Sequence, residues 1–571
     1  MKGLADWKTR SIVHPTDRFI ALISALVGVA VFGLSVINPL NTNWLKTGDF
    51  KSAQLAWNYF RQTSLIQWPI TQIPNYGTGW GTLLTPAGGN VLVSLPLKYL
   101  RYFLPDNFQF VGIWIIFCLA MQGYFAARII GLFEDSRIRV AVYSMIFLFS
   151  PICIFRIATM SHDKLGAQWL ILWAIYLYLK KDVRTRSWAL LIFVSLCIEV
   201  YLSAMVLAIF SAFIIRITVI SAEQIEIRKA AKLLLVCASV ALMTLWALGL
   251  FSITGGISGT GVYRLSGTSY LNPMYSRSEG VSIVFKRLFV SNRTTATYID
   301  GEGFQFLGTG ILIILPFLVV SLFRRVINRA RATWLIMIPV ASIGALLFMF
   351  AISKHVSIGP IEFNYWWPKT IIDLSQIFRA TSRFGWVLYY LIYIAAVRYI
   401  SKISRNDWLV LVVSFSVLSA QLLDQSLYLV HVNKTFSQMS RNSIPIDIRW
   451  TAIKNQYSKI RIYPTFDMQI DSQDPGVLGW QENDRWYLPL KVSSEGNLQI
   501  NFSYVSRPVG SLIDKENAKT ISEIADKDLR IGNLYLFSLE SEWRKFRRQI
   551  GENGDYFQID GMYAIGFPIT K

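Results

Sequence analysis

Long apolar runs separated by short polar stretches set the plan of this chain. About eleven runs approach the roughly 20 residues that a membrane-crossing helix needs: 19–37, 108–130, 140–158, 166–179, 188–201, 203–217, 231–251, 305–323, 333–352, 384–400 and 407–423. The pattern predicts an α-helical polytopic membrane protein with a soluble α/β domain at its C-terminal end. The expected division is 1–423 for the membrane part and 424–571 for the soluble domain. Residues 188–217 read either as one long helix or as a tight hairpin around Glu199 to Ser203. In the tail, alternation and apolar runs predict strands at 459–463, 486–492, 498–505, 534–539 and 562–567, with helices at about 517–527 and 541–550.

Composition agrees with the pattern. The chain is 53% hydrophobic and 16% charged, where a soluble domain carries about 25% charge. Its net charge of +21 comes from 56 basic and 35 acidic residues, and 18 of each lie from Asp424 onward. The whole excess therefore sits among the apolar runs, where basic residues are topology signals before they are nucleic-acid contacts. Alternate loops are basic, with Arg137 and Arg139, then Lys180, Lys181, Arg184 and Arg186, then Arg228, Lys229 and Lys232. That alternation favours the hairpin at Glu199, and it puts the N-terminus in the cytoplasm and the C-terminal domain outside. The first run is longer than a signal-peptide core and no small-residue cleavage site follows it, so it reads as the first membrane helix. The four cysteines, Cys118, Cys153, Cys197 and Cys237, fall inside apolar runs and read as small buried hydrophobes.

The first external loop, about 38–107, holds NYGTGWGTLLTPAGG and SLPLKYLRYFLP. It is too rich in Gly and Pro to span and too long for a plain connector. Short amphipathic helices lying in the membrane interface are expected at 50–60 and 361–379.

Acids near an apolar span are costly and therefore candidates for chemistry. Those on the basic side, among them Asp17, Glu134 and Asp182, read as solvated charges on loops. On the outer side, Asp49 in WLKTGDFKSAQLAW reads either as a helix-start residue or as a catalytic acid. His162 and Asp163 share a short loop, where a metal or an oriented base would fit. Glu302 lies in YIDGEGF, whose glycines let a ligand approach the backbone. Arg379 and Arg383, in QIFRATSRFGW, share a face if that segment is helical, and arginine suits bidentate phosphate contacts. Trp44, Trp57, Trp68, Tyr76 and Trp80 read as sugar-stacking rings or as an interfacial aromatic belt. The sequence has no Walker A, GxSxG or HExxH motif.

The order of these features resembles the GT-C class of membrane glycosyltransferases, and more closely a GT-C-like family of bacterial multi-pass proteins of unassigned function. The segments that carry the resemblance are GDFKSAQLAW and PNYGTGWG, MSHDKLGAQW, EGFQFLG and IFRATSRFGWVLYY, which together cover most of 35–425. The resemblance implies an enzyme of the bacterial inner membrane. Such an enzyme moves a sugar from a polyprenyl-phosphate-linked donor to a cell-surface glycan such as O-antigen, with inversion, on the extracytoplasmic side. It implies Asp49 as general base, with Asp163 or Glu302 as a second acid. His162, Arg379, Arg383, Tyr76 and Trp80 are the expected substrate contacts. The first loop lacks a DxD, which leaves a divalent metal open. The C-terminal domain is expected to bind the acceptor or to cap the cavity. No nucleic-acid partner is expected. The alternative is a transporter or flippase of a lipid-linked saccharide; the paucity of mid-span charges and the lack of a repeat count against it.

Overall fold

The computed structural model describes residues 14–569, apart from 47, 78–81, 221–223, 254–262, 276–278, 286–300, 328–330, 359–360, 443–446, 466–482, 504, 506–509 and 526–530. Trp80 and Asp300 lie outside the described residues. The chain forms two compact units. One is made of 1–41, 110–244 and 256–440, the other of 42–109, 245–255 and 441–571.

The first unit is a helical bundle. Helix Pro15–Phe32 begins with proline in its first turn and a capping box between His14 and Asp17, and it stops at Gly33, whose φ is +89°. It packs along Val111–Ile130, and small residues bring the two close. A Cβ on Gly123 would lie 2.0 Å from Ser24 Oγ, and one on Gly112 would lie 1.8 Å from the carbonyl oxygen of Val36, in the short helix Leu34–Ile37 that follows.

A helix lies at each of the eleven predicted runs. Among the described residues, five are by themselves long and apolar enough to cross a membrane, or seven if each of two bent pairs is one span. The structure therefore supports several membrane helices without establishing eleven.

Both bends have local causes. Arg137–Leu148 and Pro151–Ala158 meet at 42°, because Pro151 lacks the N–H that would continue the helix and disfavours a helical Ser150. The freed carbonyl of Phe149 accepts from Gln421 Nε2 and Gln425 Nε2, both at 3.1 Å. An apolar surround demands such a partner. The second pair, Lys369–Ile377 and Thr381–Ile400, turns through 99°.

The 188–217 stretch is a hairpin. Helices Thr185–Ile198 and Val200–Ile215 are joined through an extended Glu199. Trp188 lies 5.2 Å and 5.1 Å from the rings of Phe210 and Phe213, which requires the chain to fold back. The expected helix at 361–379 is half correct: Ile361–Asn364 is instead a strand paired antiparallel with His355–Ile358, and the helix starts at Lys369. The loop acids Asp17, Glu134 and Asp182 are not solvated. All three are buried and paired, with Arg128, Arg139 and Arg184 respectively.

The second unit joins residues 42–109 to the tail. Helix Gly48–Arg61 is buried on every side from Ser52 to Arg61, so it is a core helix and not an interfacial one. Its Tyr59 hydroxyl meets Leu490 O at 3.3 Å and Ser493 Oγ, and Asn58 Nδ2 donates to Ser494 Oγ at 3.4 Å. The tail carries a five-stranded sheet in the order Gln499–Ile500, Lys459–Tyr463, Asn533–Phe537, Met562–Gly566, Asp555–Ile559. The first three strands are parallel and the last two antiparallel.

Three expectations for the tail change. Residues 486–492 are part of helix Asn483–Gly496, since a short apolar run packed on two sides reads alike as strand or helix. Among the described residues of 498–505, only Gln499–Ile500 is strand. Strand Asp555–Ile559 was not expected, although Asp560-Gly561, both with positive φ, is the hairpin turn that announces it.

Replacing Gly112 with alanine forces a side chain against backbone that cannot yield. Such overpacking costs about 1–3 kcal/mol. The G112A protein is expected to unfold several degrees below wild type in detergent; an unchanged midpoint would contradict this packing.

Candidate functional site

Three breaks in the helices of the first unit bring charged side chains together. The bend before Pro151 aims Pro151–Ala158, with Arg156, into the bundle. The hairpin tip supplies Glu199 and Tyr201. The sharp turn before Thr381–Gly385 supplies Arg383. Glu302 enters from the segment preceding helix Thr309–Ile327.

Glu302 is shared between two guanidinium groups. Arg156 Nη1 donates to Glu302 Oε2 at 2.8 Å, and Arg156 Nη2 donates to the Glu302 carbonyl. Arg383 Nε and Nη2 donate to Oε2 and Oε1 at 3.3 and 3.1 Å. His162 Nε2 stands 3.8 Å from Oε1. Arg156 is fully buried, whereas the Arg383 side chain keeps 14% of its surface exposed. Burial pushes the Glu302 carboxyl up, but the charges of Arg383, Arg156 and His162 outweigh it and hold the group well below the usual carboxylate range.

Each arginine also lies over an aromatic face: Arg383 over Tyr201 at 4.5 Å, Arg379 over Tyr263 at 4.9 Å and Arg156 over Trp386 at 5.3 Å. Such stacking fixes the guanidinium planes and adds attraction. The turn is pinned from behind. Ser382 Oγ donates to Glu302 O at 2.9 Å, Gln305 Nε2 to Ser382 O at 2.5 Å, and Ala380 N to the Tyr201 hydroxyl at 3.0 Å. Lys164 and Glu199 pair beside it at 3.4 Å.

The sequence candidates therefore fall in different places. Glu302, His162 and Arg383 converge. Arg379 lies in the turn, over Tyr263; helix Lys369–Ile377 has ended before it, so the two arginines do not share one helix face. Asp163 is buried, and its carbonyl accepts from Trp114 Nε1 at 3.1 Å. Asp49 lies in the other unit, in the first turn of Gly48–Arg61, where a negative charge meets the positive end of the helix. Tyr76 is also there, fully buried and stacked on Tyr59 at 4.6 Å, so its ring faces protein. Trp44 and Trp57 are buried too, and Trp68 is half exposed.

Arg156 and Tyr201 were missed. A lone arginine inside the apolar run PICIFRIATM is itself a signal, because an intramembrane cation demands a partner as much as an acid does. Among the described residues, no three His, Cys, Asp or Glu side chains come together to hold a metal. Around Glu302, two guanidiniums face a single carboxylate and a single histidine. That donor set fits an anion and does not fit a divalent cation.

Residues 21–426 match the family described as a domain of unknown function, DUF6311, and 449–567 match the DUF6311 C-terminal domain. No curated protein matches the chain. Among solved structures, the chain is similar to the Archaeoglobus fulgidus oligosaccharyltransferase in complex with Zn and sulfate. The identity is 11% over 96% of this chain and 73% of that one, with a TM-score of 0.38. It is also similar to the oligosaccharyltransferase AglB of the same organism, in complex with an inhibitory peptide and a dolichol-phosphate. There the identity is 11% over 97% of this chain and 74% of that one, with a TM-score of 0.28.

Removing one member of a buried ion pair strands the other and costs about 3–5 kcal/mol. Glu302→Gln is therefore expected to lower thermal stability sharply. An E302Q/R156M double variant should recover part of the loss. The sign with pH follows from the depressed carboxyl. The contribution is fully present above the ordinary value of 4.5 and fades only as pH falls through the lower folded value. The gap between wild type and E302Q should thus be equal at pH 8 and pH 5.5 and shrink only in stronger acid. A gap that closes between pH 8 and pH 5.5 would contradict the shared ion pair.

Proposed function

The chain belongs to the DUF6311 family, and we propose that it is a membrane glycosyltransferase whose Arg383–Glu302–Arg156 cluster grips the phosphate of a polyprenyl-linked sugar donor. One observation carries the reading. Two stacked guanidiniums share one carboxylate at the end of apolar helices, so the trio carries a net charge of +1, and Arg383 is its partly exposed member. A lipid phosphate is the anion that reaches such a depth. The sequence resemblance to GT-C enzymes supports the same class.

In this mechanism the acceptor hydroxyl of a surface glycan attacks the anomeric carbon, and the bond from that carbon to the phosphate oxygen breaks. The phosphate leaves with the electron pair, and Arg383 offsets the charge that develops on it. Glu302 works by fixing both guanidiniums. A carboxylate held so far below its ordinary range is a poor proton acceptor. His162 is near enough to Glu302 to tune the same field. We assign the base that takes the acceptor's proton to Asp49, on its position early in the first loop and on the resemblance. Arg379, half-buried over Tyr263, extends the anion-binding surface. The protein would act at the extracytoplasmic face of the inner membrane, with O-antigen as one fitting acceptor.

The test is the mass of surface glycan from cells lacking the gene and complemented with variants that insert normally. Loss of a sugar-sized unit is expected without the gene. Arg383→Ala should slow transfer about 10²–10³-fold, and Asp49→Asn about 10²–10⁴-fold. Wild-type transfer by R383A would end the phosphate-grip mechanism. A glycan whose linkages stay intact while its lipid-linked precursor accumulates on one leaflet would favour transport.

A further inference from the structure

A second cationic feature of the first unit plays no part in this mechanism. Helix Trp169–Lys180 leaves the His162–Lys164 turn and runs for 12 residues, about 18 Å at the usual rise, before it ends at Lys180. At that far end, helices Val111–Ile130, Trp169–Lys180 and Thr185–Ile198 border a groove of about 380 Å³.

Four cations line it: Arg128, Lys180, Arg184 and Arg186. Two carboxylates answer them. Asp17 pairs with Arg128 at 3.3 Å, and Asp182 takes Arg184 at 2.6 Å and Lys180 at 3.9 Å. Arg186 is exposed and makes no ion pair among the described residues. Counting these described groups alone, the rim holds two more cations than carboxylates. The wall is apolar. The rings of Phe125 and Trp173 stack at 5.2 Å, and Leu190 opens half its surface beside them.

A cationic rim above an aromatic and aliphatic wall matches an amphiphile with an anionic head. We propose that this groove binds an anionic phospholipid, with the phosphate against Lys180 and Arg186 and an acyl chain along Trp173 and Leu190. Clusters of Lys and Arg at helix ends attract anionic lipids for this reason. The apolar wall favours a lipid over free phosphate, since a small ion would leave it uncovered.

The test is native mass spectrometry of the purified full chain, released from a micelle holding equal phosphatidylglycerol and phosphatidylcholine. The wild type is expected to keep at least about fivefold more of the anionic lipid, a difference of roughly 1 kcal/mol. Arg186→Gln, an exposed change that leaves packing alone, should cut the preference. Lys180→Gln with Arg186→Gln should bring it near unity, with Asp182 still held by Arg184. An equal mixture on the wild type would overturn the proposal, as would a preference that survives both substitutions. Displacement of the lipid by millimolar inorganic phosphate would overturn it in favour of a free-anion site. None of these results depends on Arg383, so they stand or fall apart from the transferase reading.

Discussion

The charge shared by Glu302, Arg156 and Arg383 governs the architecture around it. Burying an unpaired guanidinium among apolar helices is prohibitive, and a lone carboxylate is no better placed. The bundle answers by breaking three of its elements so that their ends meet. Pro151 bends one helix to deliver Arg156, an extended Glu199 folds another into a hairpin that presents Tyr201, and a 99° turn delivers Arg383. Each break frees backbone groups, and side chains take them up, as Gln421 and Gln425 do for the Phe149 carbonyl. The irregular parts of the bundle are therefore the parts that build the site.

The same logic explains the residues around the turn. Gln305 fills the space beside Gly385 so closely that a Cβ there would lie 2.4 Å from its Oε1. Ser382 ties the turn back to the Glu302 carbonyl. Deep in the neighbouring helix, Asp424 accepts from Ser282 Oγ at 2.9 Å, from Val284 N at 2.8 Å and from Thr309 Oγ1. It thereby anchors both flanks of the segment that carries Glu302.

Much of this was legible in the sequence, for reasons that differ by element. Apolar length located a helix at every expected run, and alternating basic loops chose the hairpin that Trp188 and Phe213 confirm. Glu302, His162 and Arg383 were visible as polar residues at costly positions. Arg156 was overlooked because attention fell on acids inside spans, although a cation there obeys the same rule. Asp17, Glu134 and Asp182 looked like loop decoration because their burial shows only in the fold: the partner of Asp17, Arg128, is 111 residues away, while Glu134 and Asp182 pair with the nearby Arg139 and Arg184 and are buried all the same. The first loop was misread for a related reason. The amphipathic look of Gly48–Arg61 suggested a membrane surface, and its polar face in fact meets Ser493 and Ser494 more than 400 residues along the chain.

The central claim is that Arg383, held by Glu302, binds a lipid-borne phosphate. Its most direct measurement is the affinity of the purified full chain in nanodiscs for polyprenyl phosphate, with the matching polyprenol as control. The account predicts binding of the phosphate, little binding of the alcohol, and at least about a tenfold loss of affinity, or 1.4 kcal/mol, in both R383Q and E302Q. Equal binding of phosphate and alcohol, or an R383Q protein with wild-type affinity, would contradict it.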